Sequence, residues 1–215
     1  MLEARDVWLT FDDGGKPLHA LRELSITLPA RGLVAVFGPS GSGKSSLLFV
    51  LSGLRPPTRG TVTFDGKPFS EGAEGERASI RKRRFGFVFQ RHYLLDYLTV
   101  RENARLCAAL AEVGMAERTD ELLRRLGLAE KASRRPSRLS GGERQRVAVA
   151  RALAHNPAVV FADEPTAALD AENRGIVMQL LEEESRRGPV VVATHDEQLL
   201  ASAALTIRLR DGRTG

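Results

Sequence analysis

Along the first ninety residues the apolar positions fall at strand spacing. Residues 3–11 and 20–28 read as two extended segments joined by the turn-rich Asp12-Asp13-Gly14-Gly15-Lys16-Pro17, an antiparallel pair. Leu33 to Phe37 is a short continuous apolar run, the pattern of a strand buried on both faces. It feeds a glycine-rich turn and an apolar helix from Lys44 to Ser52. A strand over 60–64 closes at the turn Asp65-Gly66, and a further strand, Phe85 to Phe89, follows a basic segment.

From about 98 to 138 the spacing becomes helical. Thr99 with Glu102 forms a capping box that opens a helix running to about Val113. A second helix near 117–126 stops at Gly127, and a loop over 130–138 carrying Pro136 leads to a helix over 142–155. Strand 158–162, helix 171–187 stopped by Gly188, strand 190–194, helix 196–203 and strand 205–209 then alternate. Such alternation implies α/β architecture with a mostly parallel sheet. The expectation is one domain over 1–215. Its core comprises 1–90, including an N-terminal antiparallel β subdomain, and 139–215; a helical subdomain over 91–138 is inserted between them.

Composition narrows the class. Hydrophobic residues at 42% and charged residues at 27% suit a globular chain and exclude a disordered one. The longest apolar runs, such as Leu47 to Leu51, fall far short of the roughly twenty residues a membrane span needs. Met1 to Asp6 lacks a basic segment leading into an apolar one, so no secretory signal is expected. Cys107 stands alone, which rules out an internal disulfide and points to a reducing cytoplasm. The net charge of +5 comes from an arginine-rich set, with clusters at Arg81-Lys82-Arg83-Arg84 and at Arg134, Arg135 and Arg138. With one Trp and two Tyr for base stacking, these runs read as solvated faces, and no direct nucleic-acid contact is expected.

Three segments carry chemistry. Gly38-Pro39-Ser40-Gly41-Ser42-Gly43-Lys44-Ser45 fits G-x-x-x-x-G-K-[ST] between a buried strand and a helix. Its glycines let amides curl around phosphate at the positive end of that helix, with Ser46 continuing its first turn. Lys44 would pair with the β- and γ-phosphates of ATP, and the Ser45 hydroxyl would ligate Mg²⁺. Asp163, ending the apolar strand Val159 to Ala162, supplies the carboxylate that a P-loop needs for its metal, and Glu164 beside it could act as general base. Leu139-Ser140-Gly141-Gly142-Glu143 is a capping box, yet that alone leaves its two glycines unexplained. Small residues before a helix leave amides facing outward, a second anion site in one chain. Two chains set head-to-tail would bring each such segment onto the other's ATP.

With these motifs in this order the chain resembles an ATP-binding cassette (ABC) ATPase, the nucleotide-binding subunit of ABC transporters, over essentially its whole length. The resemblance implies a P-loop NTPase core. It places Lys44 and Ser45 in Walker A, and Asp163 and Glu164 in Walker B. Gln90 would be the Q-loop glutamine sensing Mg²⁺ and water, and Asp170 lies in the D-loop. Ser140 and Gly142, with Gly141 between, would contact the γ-phosphate of the partner's nucleotide, and His195 would be the switch histidine. Phe11 stands where the family generally has a Tyr that stacks adenine; Trp8 would point elsewhere on an alternating strand.

Gly86 to Gln90, Leu94-Leu95 with Leu98 to Asn103, and Ala162 to Thr166 resemble the lipoprotein-release and macrolide-export branch, with a departure at Ala167-Ala168. With the last strand closing near Gly215, the C-terminal regulatory domain usual in sugar and methionine importers is not expected. The implied partners are a second ABC ATPase chain, as a homodimer, and an integral-membrane permease contacted around Arg91 to Tyr97 and the helical subdomain. The implied location is cytoplasmic, peripheral on the inner face of the membrane. A soluble ABC ATPase of iron–sulfur assembly or of a cell-division complex would share every one of these motifs. A DNA-repair cassette would need long coiled coils, for which the 73 residues separating Gln90 from Asp163 leave no space, or a zinc module, for which Cys107 alone does not suffice.

Overall fold

The computed structural model describes residues 1–114 and 116–214, the side chain of Gln198 excepted. Strands β1 (Leu2–Asp13) and β2 (Lys16–Thr27) form a hairpin whose two-residue loop is Gly14-Gly15, with φ of 60° and 85°. Positive φ at both central positions is what such a loop demands, and glycine adopts it without strain. Register shifts between Ala4 and Thr10 interrupt the alternation of β1. Strand β3 (Gly32–Phe37) leads into helix α1 (Lys44–Leu51), followed by β4 (Arg59–Phe64) and the short β5 (Lys67–Pro68). Helix α2 (Glu74–Arg84) runs directly into β6 (Phe85–Val88). Then come α3 (Val100–Leu110), α4 (Ala116–Arg125) and α5 (Gly141–Leu153). Strand β7 (Val159–Asp163), helix α6 (Ala171–Ser185), β8 (Pro189–Thr194), β9 (Leu205–Arg210) and β10 (Arg213–Thr214) complete the chain.

Among the described residues the strands form two sheets. One is antiparallel, in the order β2-β1-β4-β5; the other has the order β10-β9-β3-β8-β7-β6 and is parallel except for β10. The α/β architecture expected from the pattern is therefore present. Alternate residues of the parallel strands feed two cores. Leu33, Ala35, Val160, Ala162, Val190 and Val192 join the buried faces of α3, α4, α5 and α6. Val34, Val36, Val159, Phe161, Val191 and Ala193 face the other way, onto α1 and the antiparallel sheet. The large sheet thus separates α1 from α5 and α6.

Several expectations shift. Helix α2 was not expected: it buries no residue completely, so it has no apolar stripe to read. Its signal is electrostatic, with Glu74 and Glu76 in the first turn and Arg81 to Arg84 in the last, complementing the helix dipole. The helix expected over 196–203 is a 3₁₀ turn, Glu197–Ala201. The Thr194 hydroxyl accepts from the Asp196 amide, and the Ala204 amide already donates to Leu33 O, which leaves little length for an α-helix. Strands β5 and β10 are two residues each, too short for any periodicity.

The basic run on α2 is mostly spent within the chain. Arg81 donates to Gly53 O at 2.7 Å and pairs with Glu74, Lys82 lies 3.2 Å from Glu112, and Arg84 lies 3.3 Å from Asp65. No helix among the described residues is long and apolar enough to cross a membrane.

Candidate functional site

The parallel register assembles the site at one edge. Phe37 pairs with Thr194, Asp163 with Ala193, and Val88 with Ala162. The segments beginning at Gly38, Phe89, Glu164 and His195 therefore leave the sheet side by side, at the carboxyl ends of its strands, where open α/β sheets bind ligands.

The 38–45 loop has the geometry of an anion cradle. Gly43 caps α1 with φ 103° and no side-chain hydrogen bond, and no acidic residue lies in the first turn. The leading amides of α1 are thus left without a side-chain cap. Gly38 and Gly43 are required sterically as well: a Cβ would sit 2.3 Å from Leu209 O at the first and 2.5 Å from Ala20 O at the second. Lys44 Nζ donates back to Gly38 O at 2.7 Å and to Pro39 O at 3.1 Å, which holds the ammonium against the loop. Ser42 is buried and its hydroxyl finds no partner, whereas Pro39, Ser40 and Gly41 are exposed.

Asp163 is 7% exposed. Burial pushes its carboxyl above the ordinary value and nearby Glu164 adds to the rise, while a hydrogen bond from the Ser45 hydroxyl and the charge of Lys44 oppose it. A hydroxyl and a carboxylate beside a phosphate cradle are a hard-oxygen donor pair that suits Mg²⁺, an ion that keeps much of its shell as water and phosphate. Among the described residues no cluster of three acidic, His or Cys side chains competes for that role. Gln90, expected near the same metal, lies exposed beyond the end of β6 and hydrogen-bonds to neither Ser45 nor Asp163.

Glu164 has φ 49°, in the left-handed region, and its amide donates to Ala193 O at 2.9 Å. Its side chain is 15% exposed, and Oε1 accepts from His195 Nδ1 at 2.9 Å. The general-base and switch candidates are therefore in direct contact, at a depression of about 340 Å³ also lined by Thr166, Arg174 and Asp196.

The second cradle lies elsewhere. Ser140 caps α5: its Oγ accepts from Glu143 N at 3.2 Å and its amide donates to Glu143 Oε2 at 2.8 Å. Gly142 packs against the loop before α6, where a Cβ would lie 3.2 Å from Ala168 O. Asp170 caps α6 by accepting from Asn173 N at 2.9 Å. Because α5 and α1 pack on opposite faces of the sheet, Ser140, Gly141 and Gly142 are not brought together with Gly38 to Ser46. Phe11 is half-buried with the Arg55 guanidinium 4.6 Å from its ring centre, while Trp8 meets His19 edge-on.

Three buried polar residues that sequence reasoning passed over hold loops near the site, two of them the 90–97 segment. Arg151 donates to Tyr93 O at 2.6 Å and His92 O at 2.7 Å, and Asn103 bonds the backbone of Leu95 in both directions. Gln145, 2% exposed, donates to Pro165 O at 3.0 Å, directly after Glu164. Polar residues at core positions of a helical pattern were the available signal. Of the apolar residues in this segment Leu94 packs on the core, whereas Tyr93 and Tyr97 are 62% and 70% exposed.

A parallel sheet with a glycine-rich strand-to-helix loop and an acidic residue ending a neighbouring strand is a P-loop NTPase fold. Within that class the chain belongs to the ABC transporter family, whose profile matches residues 21–167. It is 42% identical over 217 residues to a macrolide export ATP-binding/permease protein of Burkholderia pseudomallei, covering 99% of this chain and 33% of that protein. The chain thus spans about a third of the length of such relatives. An uncharacterized ABC transporter ATP-binding protein of Methanocaldococcus jannaschii is 39% identical over 216 residues, covering 99% of this chain and 96% of that one. Among solved structures, the ATP-binding cassette MJ0796, dimeric and bound to ADP and phosphate in a post-hydrolysis state, superposes with a TM-score of 0.94 at 35% identity, covering 100% of this chain and 96% of that one. The resemblance read from the motifs is borne out.

Proposed function

We propose that this chain is the ATP-binding and hydrolysing subunit of an ABC transporter. Two copies close head-to-tail around two Mg-ATP on the cytoplasmic face of the membrane and drive a separate permease of the export or lipoprotein-release type. The observation that carries the reading is the placement of two helix N-termini that begin at small residues, those of α1 and α5, on opposite faces of one sheet. One chain cannot apply both to the same phosphate, and two antiparallel copies can. The dimeric form of the solved cassette and the export role in the Burkholderia protein's name agree with it.

In this reading the backbone N–H groups of the loop Gly38 to Ser46, Pro39 excepted, wrap the phosphates, and Lys44 exchanges its loop carbonyls for phosphate oxygens. Ser45, Asp163 and Gln90 are the residues that would hold Mg²⁺. The ion supplies charge neutralisation on the phosphates. Glu164, oriented by His195, takes the proton of the attacking water, and the partner's Ser140 to Gly142 cap the γ-phosphate, so catalysis rests on positioning and electrostatics. Phe11 stacks the adenine on the ring face that Arg55 leaves open, and Asp170 positions the loop between the two sites. Tyr93 and Tyr97 present an aromatic surface for the permease, on a segment whose backbone Arg151 and Asn103 fix.

Glu164→Gln tests the reading. Turnover is expected to fall by roughly 10²–10⁴-fold, and light scattering with saturating ATP is expected to find a dimer. From detergent-solubilised membranes the same variant is expected to retain a partner with several membrane spans. A variant that stays monomeric overturns the shared site. A dimer that retains only soluble partners overturns the transport role and favours a cytoplasmic assembly.

A further inference from the structure

The helix end proposed to meet the partner's phosphate carries a negative charge of its own. Glu143 lies in the first turn of α5, where its carboxylate accepts the Ser140 amide through Oε2. A carboxylate in that position satisfies the helix dipole and repels any second anion approaching the same amides. Its other oxygen, Oε1, is held by the ammonium of Lys131. Lys131 belongs to a different element, the 3₁₀ turn Ala129–Lys131 that follows α4. Both side chains are largely enclosed, at 31% and 15% exposure, so solvent screens the pair less than it would on an open surface. Among the described residues no other cation pairs with Glu143. The nearby Arg144 guanidinium is turned onto Leu139 O at 2.5 Å.

We propose that Lys131 is the counter-ion that lets the α5 end accept phosphate: it cancels the Glu143 charge, so the capping box stabilises the helix without repelling the partner's nucleotide. Lys131 is a positioning residue, acting through Glu143. The inference rests on the head-to-tail reading above and adds a charge requirement to it.

The test measures the ATP-dependent monomer–dimer equilibrium by sedimentation in the Glu164→Gln background, at low and high salt. Lys131→Met is expected to raise the dimer Kd about fivefold at low salt, with the deficit narrowing at high salt. Lys131→Arg is expected to match the parent. The double variant Lys131→Met/Glu143→Gln is expected to recover parental affinity, because the charge needing neutralisation is gone. A Lys131→Met protein that dimerises like the parent overturns the proposal and leaves the head-to-tail reading intact. A deficit that persists in the double variant also overturns it, since the tie would then hold geometry rather than cancel charge. A parent that never dimerises removes the reading and the proposal together.

Discussion

The starts of α1 and α5 solve opposite problems with similar materials. Both begin at a small capping residue. At α1 the cap is Gly43, with no side-chain acceptor and no acid in the first turn, and Lys44 adds a cation. At α5 the cap is Ser140, Glu143 closes the box, and Lys131 offsets the acid. The first end leaves its amides for a ligand and gains most when an anion arrives. The second is already satisfied by its own side chains and can add a further acceptor only weakly. On the proposed reading, a site for affinity and a site for closure would differ in whether the helix caps itself.

That contrast can be broken at either end. Lys44→Ala is expected to weaken ATP binding to the isolated chain by roughly ten- to a hundredfold, the size of a lost charge-assisted hydrogen bond; calorimetric titration reads it. Gly43→Ala forces a non-glycine residue to φ 103° and presses a methyl onto Ala20 O. A loss of roughly 1–3 kcal/mol in urea unfolding is expected, together with impaired nucleotide binding. Ser140→Ala should cost about 1 kcal/mol of stability through the lost cap, with ATP affinity of the monomer unchanged in the same titration. If Ser140→Ala weakened monomer binding as much as Lys44→Ala, the distinction between affinity and closure would collapse.

The smallest effect is a pH dependence. The side-chain bond to Lys131, then the Ser140 amide, hold the Glu143 carboxyl below its ordinary value of 4.5. A depressed carboxyl stabilises the fold fully above the unfolded-state value, and that contribution is lost as pH falls through the folded one. The stability gap between the parent and Glu143→Gln should therefore be a few tenths of a kcal/mol at neutral pH. Urea midpoints should show it closing below about pH 4.5.

Most of the architecture was legible because it rests on short-range pattern. The run Leu33 to Phe37, the motif at 38–45 and the Ser140–Glu143 box each declare themselves within a few residues. What escaped was either unpatterned or non-local. Helix α2 buries no residue fully, so only its end charges mark it. The contact between Glu164 and His195 spans 31 positions and depends on β7 and β8 being neighbours. The interruption of β1 coincides with positive φ at Asp6 on β1 and at Glu23 on β2, which no alternation rule anticipates. The bond from Arg151 to the 92–93 backbone required knowing that α5 passes beneath that segment.

The sheet that separates α1 from α5 has a kinetic consequence. If every working site is built from two chains, the rate per molecule is not a constant of the protein. In dilute solution the hydrolysis rate would rise with the square of subunit concentration, and specific activity would climb linearly until dimers predominate. Tethering two copies to one membrane complex would remove that dependence.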